Sequence, residues 1–428
     1  MIFNSARRLW QHFLDDHLFR NSIYLMATTG FMGLFGYVFW IICTHIFQPD
    51  QIGVGTTLIS AMSLISSVSL LGFNNTFIRI LPNSQNRDNE INTGSILVIL
   101  TSATMALLYI AAVPVITPKL SIIHENPWFA LGFVIIVALA SLNTLTDSVF
   151  IAYRAAHFNL ITDGFITSIT KLILPVIFVT LGAYGVFASA GLAAGVGIIT
   201  AILILVFKYG YKPRFHIDSQ TLKKVFRYSF TNYLANLLSI APTLILPIIV
   251  IDHLGAAAAG YYYLTFMIIN LLYTVAASVS QSLFAEGSYD TNGLRGLLKN
   301  AVKMLLIIMV PAGIVLAIGG PYVLELFGKS YGAGGAGVLI VFALAAPAVA
   351  AYNIACVVLR IRHQTYSLVF VNILYAVLIN VLAILWVDRG LVWIAIAWLI
   401  GNLIAAALAF VSIFYYRHLP TPTEITTA

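Results

Sequence analysis

Apolar runs long enough to cross a hydrocarbon core, about 20 residues at 1.5 Å rise per residue, recur along this chain between short polar breaks. Twelve spans are predicted: 21–46, 53–81, 93–117, 127–152, 160–182, 185–207, 228–251, 260–284, 301–325, 334–359, 366–387 and 390–416. Residues 2–19 follow a different pattern. Phe3, Leu9, Trp10, Phe13, Leu14 and Leu18 form one stripe against Arg7, Arg8, Asp15 and Asp16, which predicts a short helix lying in the membrane interface. The apolar stretch beginning near Ser22 is too long for a signal-peptide core and lacks a small-residue cleavage site, so it is expected to stay as an anchor.

The composition agrees with this pattern. Of 428 residues, 60% are hydrophobic and 9% charged, and the mean hydropathy is +0.96. A chain with so little polar surface does not cover its own core in water. That excludes a soluble enzyme, a nucleic-acid binder and a disordered protein. The net charge of +7 follows membrane topology rather than a nucleic-acid patch. With the N-terminus cytoplasmic, 18 Lys and Arg fall on that side, and only Lys119, Lys329 and Arg389 on the other. The positive-inside rule then places both termini in the cytoplasm. Cys43 and Cys356 lie within apolar runs and read as small buried hydrophobes rather than a redox pair.

The longest connection, 208–227, carries Lys208, Lys212, Arg214, Lys223, Lys224 and Arg227 and divides the spans six and six. One offset of 206 residues aligns Arg154 with Arg360, His157 with His363, and Gly36 with Pro242, and brings Gly185 within a residue of Gly390. Six spans per half make this a parallel repeat. The expected fold is an all-α polytopic membrane protein of twelve transmembrane helices, in two parallel-repeat six-helix lobes around a central cavity. Its expected parts are an interfacial helix over 1–20, a lobe over 21–207, the basic linker 208–227, a second lobe over 228–416 and a cytoplasmic tail over 417–428.

No H-E-x-x-H, no Cys/His cluster with zinc spacing and no large outward loop occurs in the sequence, so no enzyme, cofactor or metal is expected. Gly332-Ala-Gly334-Gly335-Ala-Gly337 fits a dinucleotide pattern formally, but no strand precedes it, and it reads as small-residue helix packing. The ionisable residues within spans carry more information. Lys171 lies near mid-bilayer in span 5, Asp147 about 9 Å from the inner end of span 4, and Asp163 in the first turn of span 5. Two readings stand for Lys171: a structural pair with Asp147, or a cavity cation that meets an anionic substrate while Asp147 tunes it or carries a coupling proton. Asp163 reads as a helix-dipole or coupling residue. Arg79, at the inner end of span 2, is a candidate for phosphate contact, and Arg154 and Arg360 for an inner gate. Gly33, Gly36, Pro175, Pro242 and Pro247 are candidate hinges. Tyr261, Tyr262 and Tyr263 read as an interfacial belt.

Gln48-Pro49-Asp50-Gln51-Ile52-Gly53 and the run from Leu71 through Gly72, Phe73, Asn74, Asn75, Thr76, Phe77, Ile78, Arg79, Ile80 and Leu81 to Pro82 resemble the opening of the Wzx-type polysaccharide flippases. These belong to the multidrug/oligosaccharidyl-lipid/polysaccharide exporter superfamily. Phe327-Gly328-Lys329-Ser330-Tyr331 is similar to that family's loop between spans 9 and 10, and the Arg154 and Arg360 segments to its 4–5 and 10–11 connections. The resemblance implies transfer of a polyprenyl-diphosphate-linked oligosaccharide from the inner to the outer leaflet of the cytoplasmic membrane. The lipid-linked sugar and membrane lipids are then the partners, with polymerase and chain-length proteins of the same pathway. The cationic lumen it implies falls on Arg79 and Lys171; Val377 stands where the 206 offset would place a second lysine. The rival reading is a proton- or sodium-coupled small-molecule antiporter of the same superfamily, followed by a membrane polymerase or glycosyltransferase.

Overall fold

A computed structural model describes residues 17–289, 293–362 and 364–415. Among these it contains helices and no strands, and 12 helices are long and apolar enough to cross a membrane. They are Ile23–Ile46, Pro49–Ser69, Arg87–Ile116, Pro127–Ala152, His157–Ile177, Val179–Tyr209, Tyr233–Leu254, Ala256–Phe284, Leu294–Glu325, Lys329–Ile361, Thr365–Arg389 and Leu391–Ile413, here spans 1–12 in chain order. The protein is a multi-pass membrane protein. The expected interfacial helix lies outside the described residues, apart from its last positions, which run directly into the helix His17–Ile46. His363 and the expected tail over 417–428 also lie outside them.

The chain packs as two units, Met1–Tyr233 and Leu234–Ala428. In the first, span 4 packs against spans 2, 3 and 6, span 6 also against spans 2 and 5, and span 1 against span 5. In the second, span 10 packs against spans 8, 9 and 12, and span 12 against span 11. Spans 4 and 10 thus hold equivalent places, as the 206-residue offset requires. The glycine-rich run opening span 10 lies inside a helix, Lys329–Ile361. A Cβ at Gly334 would run into the Tyr261 ring, so small residues there let spans 8 and 10 approach. Tyr262, expected in an interfacial belt, instead is 1% exposed, with its ring 6.0 Å from Phe266 and 5.9 Å from Phe342. An apolar ring has more to gain from this aromatic core than from the interface.

Span 2 departs from the predicted 53–81. Its helix stops at Ser69, because Leu71 (φ 49°) and Gly72 (φ 83°) turn left-handed. Glycine adopts that conformation at no steric cost, and leucine only under strain. A separate short helix, Phe73–Ile80, follows. It buries Phe73 and Phe77 in a cluster with Leu70, Val149 and Phe150.

The basic connection is not a free loop. Its first part runs extended along the start of span 3. Tyr211 Oη donates to Asn92 Oδ1 (2.6 Å), Arg214 N to the same oxygen (3.1 Å), and Asn92 Nδ2 to Lys212 O (3.2 Å). Lys212 N donates to Asp88 Oδ2 (3.3 Å) and Asp218 N to Thr93 Oγ1 (2.9 Å). Asp218 then caps the next helix, accepting from Thr221 N (3.0 Å) and Oγ1 (2.7 Å). That helix, Ser219–Leu254, carries Pro242 and Pro247 without a break and begins nine residues before predicted span 7. The expected linker 208–227 therefore belongs to the first unit, because these contacts fasten it there.

Candidate functional site

Span 5 is the least regular of the spanning helices. Its Leu160–Thr167 stretch is π-helical, adding a residue to the turn. Such stretches are rare and gather at functional sites. The side chain of Asp163, in this stretch, is buried at 3% exposure and accepts from Asn143 Nδ2 of span 4 at 2.9 Å. Its backbone carbonyl accepts from Ser168 Oγ at 2.7 Å. Asp147, one turn along span 4 from Asn143, is in side-chain hydrogen-bonding contact with Asp163. Asn159 Nδ2 donates to the Asp147 carbonyl at 3.3 Å. Asp147 and Asp163 are five and six residues from the adjoining ends of spans 4 and 5, about 8–9 Å deep, so antiparallel packing brings them level.

This arrangement revises the reading of Asp163 as a first-turn dipole residue. The helix starts at His157, so Asp163 is one and a half turns inside it and faces a carboxyl group. It also removes the ion pair between Lys171 and Asp147. Lys171 lies eight residues beyond Asp163, about 12 Å deeper. Its Nζ sits 4.4 Å from the centroid of Phe39 in span 1. No carboxylate pairs with Lys171 among the described residues.

The other predicted positions scatter. Arg79 lies exposed in the last turn of the short helix Phe73–Ile80, outside the spanning part of span 2. Arg154 lies exposed in the turn between spans 4 and 5 with φ 55°, left-handed backbone that a side chain adopts under strain. Arg360 is exposed at the end of span 10, where its neighbour Arg362 donates Nη1 to Ile413 O of span 12 (3.0 Å). Pro175 is buried within helix Ser168–Ile177, and a Cβ at Gly33 or Gly36 would meet nothing within 4 Å. Cys43 and Cys356 are free and buried, as expected. The sequence reading missed Asn143, Asn159 and the π-helical turn. The four-residue spacing of Asn143 and Asp147, which puts both on one helix face, was the available signal.

Residues 42–334 match the family of polysaccharide biosynthesis proteins. The chain belongs to this family. No curated protein matches it. Its fold is that of the superfamily's transporters. An inward-facing multidrug resistance MATE transporter superposes with TM-score 0.72 at 15% identity, over 89% of this chain and 93% of that one. The lipid II flippase MurJ in an inward closed conformation gives 0.73 at 14% identity, over 92% and 87%. A MOP superfamily transporter from Pyrococcus furiosus gives 0.63 at 15%, over 92% and 94%. At these identities the likeness shows the fold.

Proposed function

We propose that this family member transfers a polyprenyl-diphosphate-linked oligosaccharide from the cytoplasmic to the outer leaflet of the cytoplasmic membrane, by alternating access, for cell-surface polysaccharide synthesis. A sugar diphosphate loses water and hydrogen bonds on entering hydrocarbon, so it needs a polar path. The observation that carries this reading is Lys171, a cation deep in a spanning helix with no carboxylate beside it among the described residues. Such a residue is costly in a membrane and is kept where an anion visits it. Family membership supplies the glycan.

In this reading the basic end of the bundle is cytoplasmic. Arg79 meets the diphosphate on entry and Lys171 meets it within the path. Arg154 and Arg360 close the inner gate, and bending at Gly33, Gly36, Pro175, Pro242 and Pro247 accompanies the exchange of access. Asp147 and Asp163 carry a coupling proton, because a buried carboxyl pair changes its net charge by gaining or losing one proton in a low-dielectric site. The same pair supports a second reading, a proton-coupled small-molecule antiporter. Deleting the gene in its host separates the two. The flippase reading expects lipid-linked oligosaccharide to accumulate at the inner leaflet and the surface glycan to disappear, with both restored by the wild-type chain. An unchanged surface glycan overturns it.

A further inference from the structure

Span 8 carries a polar stripe that neither Lys171 nor the carboxyl pair explains. Asn270, Thr274, Ser278, Ser282 and Glu286 follow one another at four-residue intervals, over about 24 Å of helix, and Gln281 falls on the same side. All six are exposed; five lie within span 8, and Glu286 lies just past its end in the same helix. Thr274 and Ser278 satisfy their hydroxyls on the carbonyls one turn back, at 2.8 and 2.9 Å. Asn270, Gln281, Ser282 and Glu286 make no side-chain hydrogen bond or ion pair among the described residues. A row of unsatisfied amide and hydroxyl groups within a span does not face lipid, because each would lose water without replacement.

The stripe ends in a cleft of about 370 Å³ between spans 8 and 9, where Ser278, Ser282 and Glu286 face Asn300 over an apolar floor that includes Leu283, Leu297 and Met304. That volume lies in the range of small-ligand sites. Among the described residues no cation lines the cleft. Arg295, Lys299 and Lys303 recur at four-residue intervals on another face of span 9 and do not line it. Among the described lining residues the single charge is the Glu286 carboxylate, which repels phosphate. Amides, hydroxyls and a carboxylate without cations are instead the donor and acceptor set that matches vicinal hydroxyl groups.

We propose that this stripe and cleft form a track for the hydroxyl-rich saccharide portion of the substrate, separate from the cations that meet the diphosphate. The assignment rests on the flippase reading and adds to it where the sugar is held. It predicts that the face of span 8 is water-lined in membranes and that sugar, not diphosphate, covers it.

Single-cysteine replacements Asn270→Cys, Ser278→Cys and Ser282→Cys, with Ile307→Cys as a lipid-facing control at 61% exposure, test this. The native Cys43 and Cys356 are buried and contribute little background. Full-length variants in membrane vesicles are reacted with a hydrophilic, membrane-impermeant maleimide. The reaction is run alone, with polyprenyl-diphosphate oligosaccharide extracted from the host, and with polyprenyl diphosphate lacking sugar. The expected result is at least tenfold faster labelling of the three stripe positions than of Ile307→Cys, slowed several-fold by the oligosaccharide lipid and unchanged by the sugar-free lipid. Labelling no faster than the control overturns the water-lined face. Equal protection by both lipids, or protection by neither, overturns the saccharide assignment. Labelling needs no transport, so these outcomes stand apart from the gene-deletion test of the flippase reading.

Discussion

Replacing Lys171 by methionine removes the charge and keeps an unbranched side chain, and the structure predicts opposite effects on stability and transport. A lone lysine near mid-span costs about 2.5–3.5 kcal/mol on insertion scales. Its contact with the Phe39 ring, 4.4 Å from Nζ to the centroid, returns about 0.5–2 kcal/mol. About 0.5–3 kcal/mol of net cost remains, which Lys171→Met relieves. Thermal unfolding of the detergent-purified variant is therefore expected at a temperature a few degrees above wild type. Transport moves the other way. A hydrogen bond to a charged group contributes about 1.5–3 kcal/mol, so losing one to the diphosphate slows transfer about tenfold or more. Lys171→Arg keeps the charge and is expected to retain part of the rate. Lys171→Met with wild-type transfer at equal expression refutes the anion role. A lowered unfolding temperature refutes the uncompensated-cation argument itself, since it would mean that the lysine has a stabilising partner.

Further expectations follow from the other sites. Asp163→Asn and Asp147→Asn each replace one member of the carboxyl pair and are expected to flatten the dependence of transfer on an imposed pH gradient; an undiminished gradient response in both removes the pair from coupling. Tyr211→Phe removes the 2.6 Å bond to Asn92, costing about 1 kcal/mol, read as a lower thermal midpoint. Burial, with Asp88 and Tyr153 adding to it, pushes the Tyr211 hydroxyl up to about 12. A raised folded-state value means this contribution is complete below the ordinary tyrosine value near 10 and is lost as pH rises through about 12. The stability difference between wild type and Tyr211→Phe should therefore shrink across that window and not below it. Arg154→Gly relieves left-handed backbone at φ 55° and is expected to raise the thermal midpoint by the equivalent of about 1 kcal/mol.

Hydropathy made the twelve spans legible, because an apolar run of fixed length has few other uses. The 206-residue offset anticipated the equivalent packing of spans 4 and 10 from a handful of Gly, Pro and Arg positions. The break after Ser69 was visible in part. Gly72 and the polar Asn74-Asn75 pair interrupt the run, but the aromatic residues around them kept its hydropathy high. Asn92 and Thr93 looked like the polar start of span 3; nothing local says that they bind a non-helical segment more than a hundred residues away. The π-helical turn was not legible, since its residues have no composition of their own and the extra residue is held by tertiary contacts. The start of span 5 was hidden too: the apolar run opens near 160, whereas the helix begins at His157, which sets Asp163 deeper than a first turn and leaves Lys171 and Asp147 more than two helical turns apart in depth.

The central claim is transfer of a lipid-linked sugar across the bilayer. Its most direct test is a liposome assay with the purified full-length protein and a fluorescent polyprenyl-diphosphate oligosaccharide, read by accessibility to a membrane-impermeant quencher. The account predicts protein-dependent loss of leaflet asymmetry, slowed by Lys171→Met and stimulated by a proton gradient. Asymmetry that persists with correctly folded protein, with and without proton or sodium gradients, contradicts the flippase reading and favours the small-molecule antiporter.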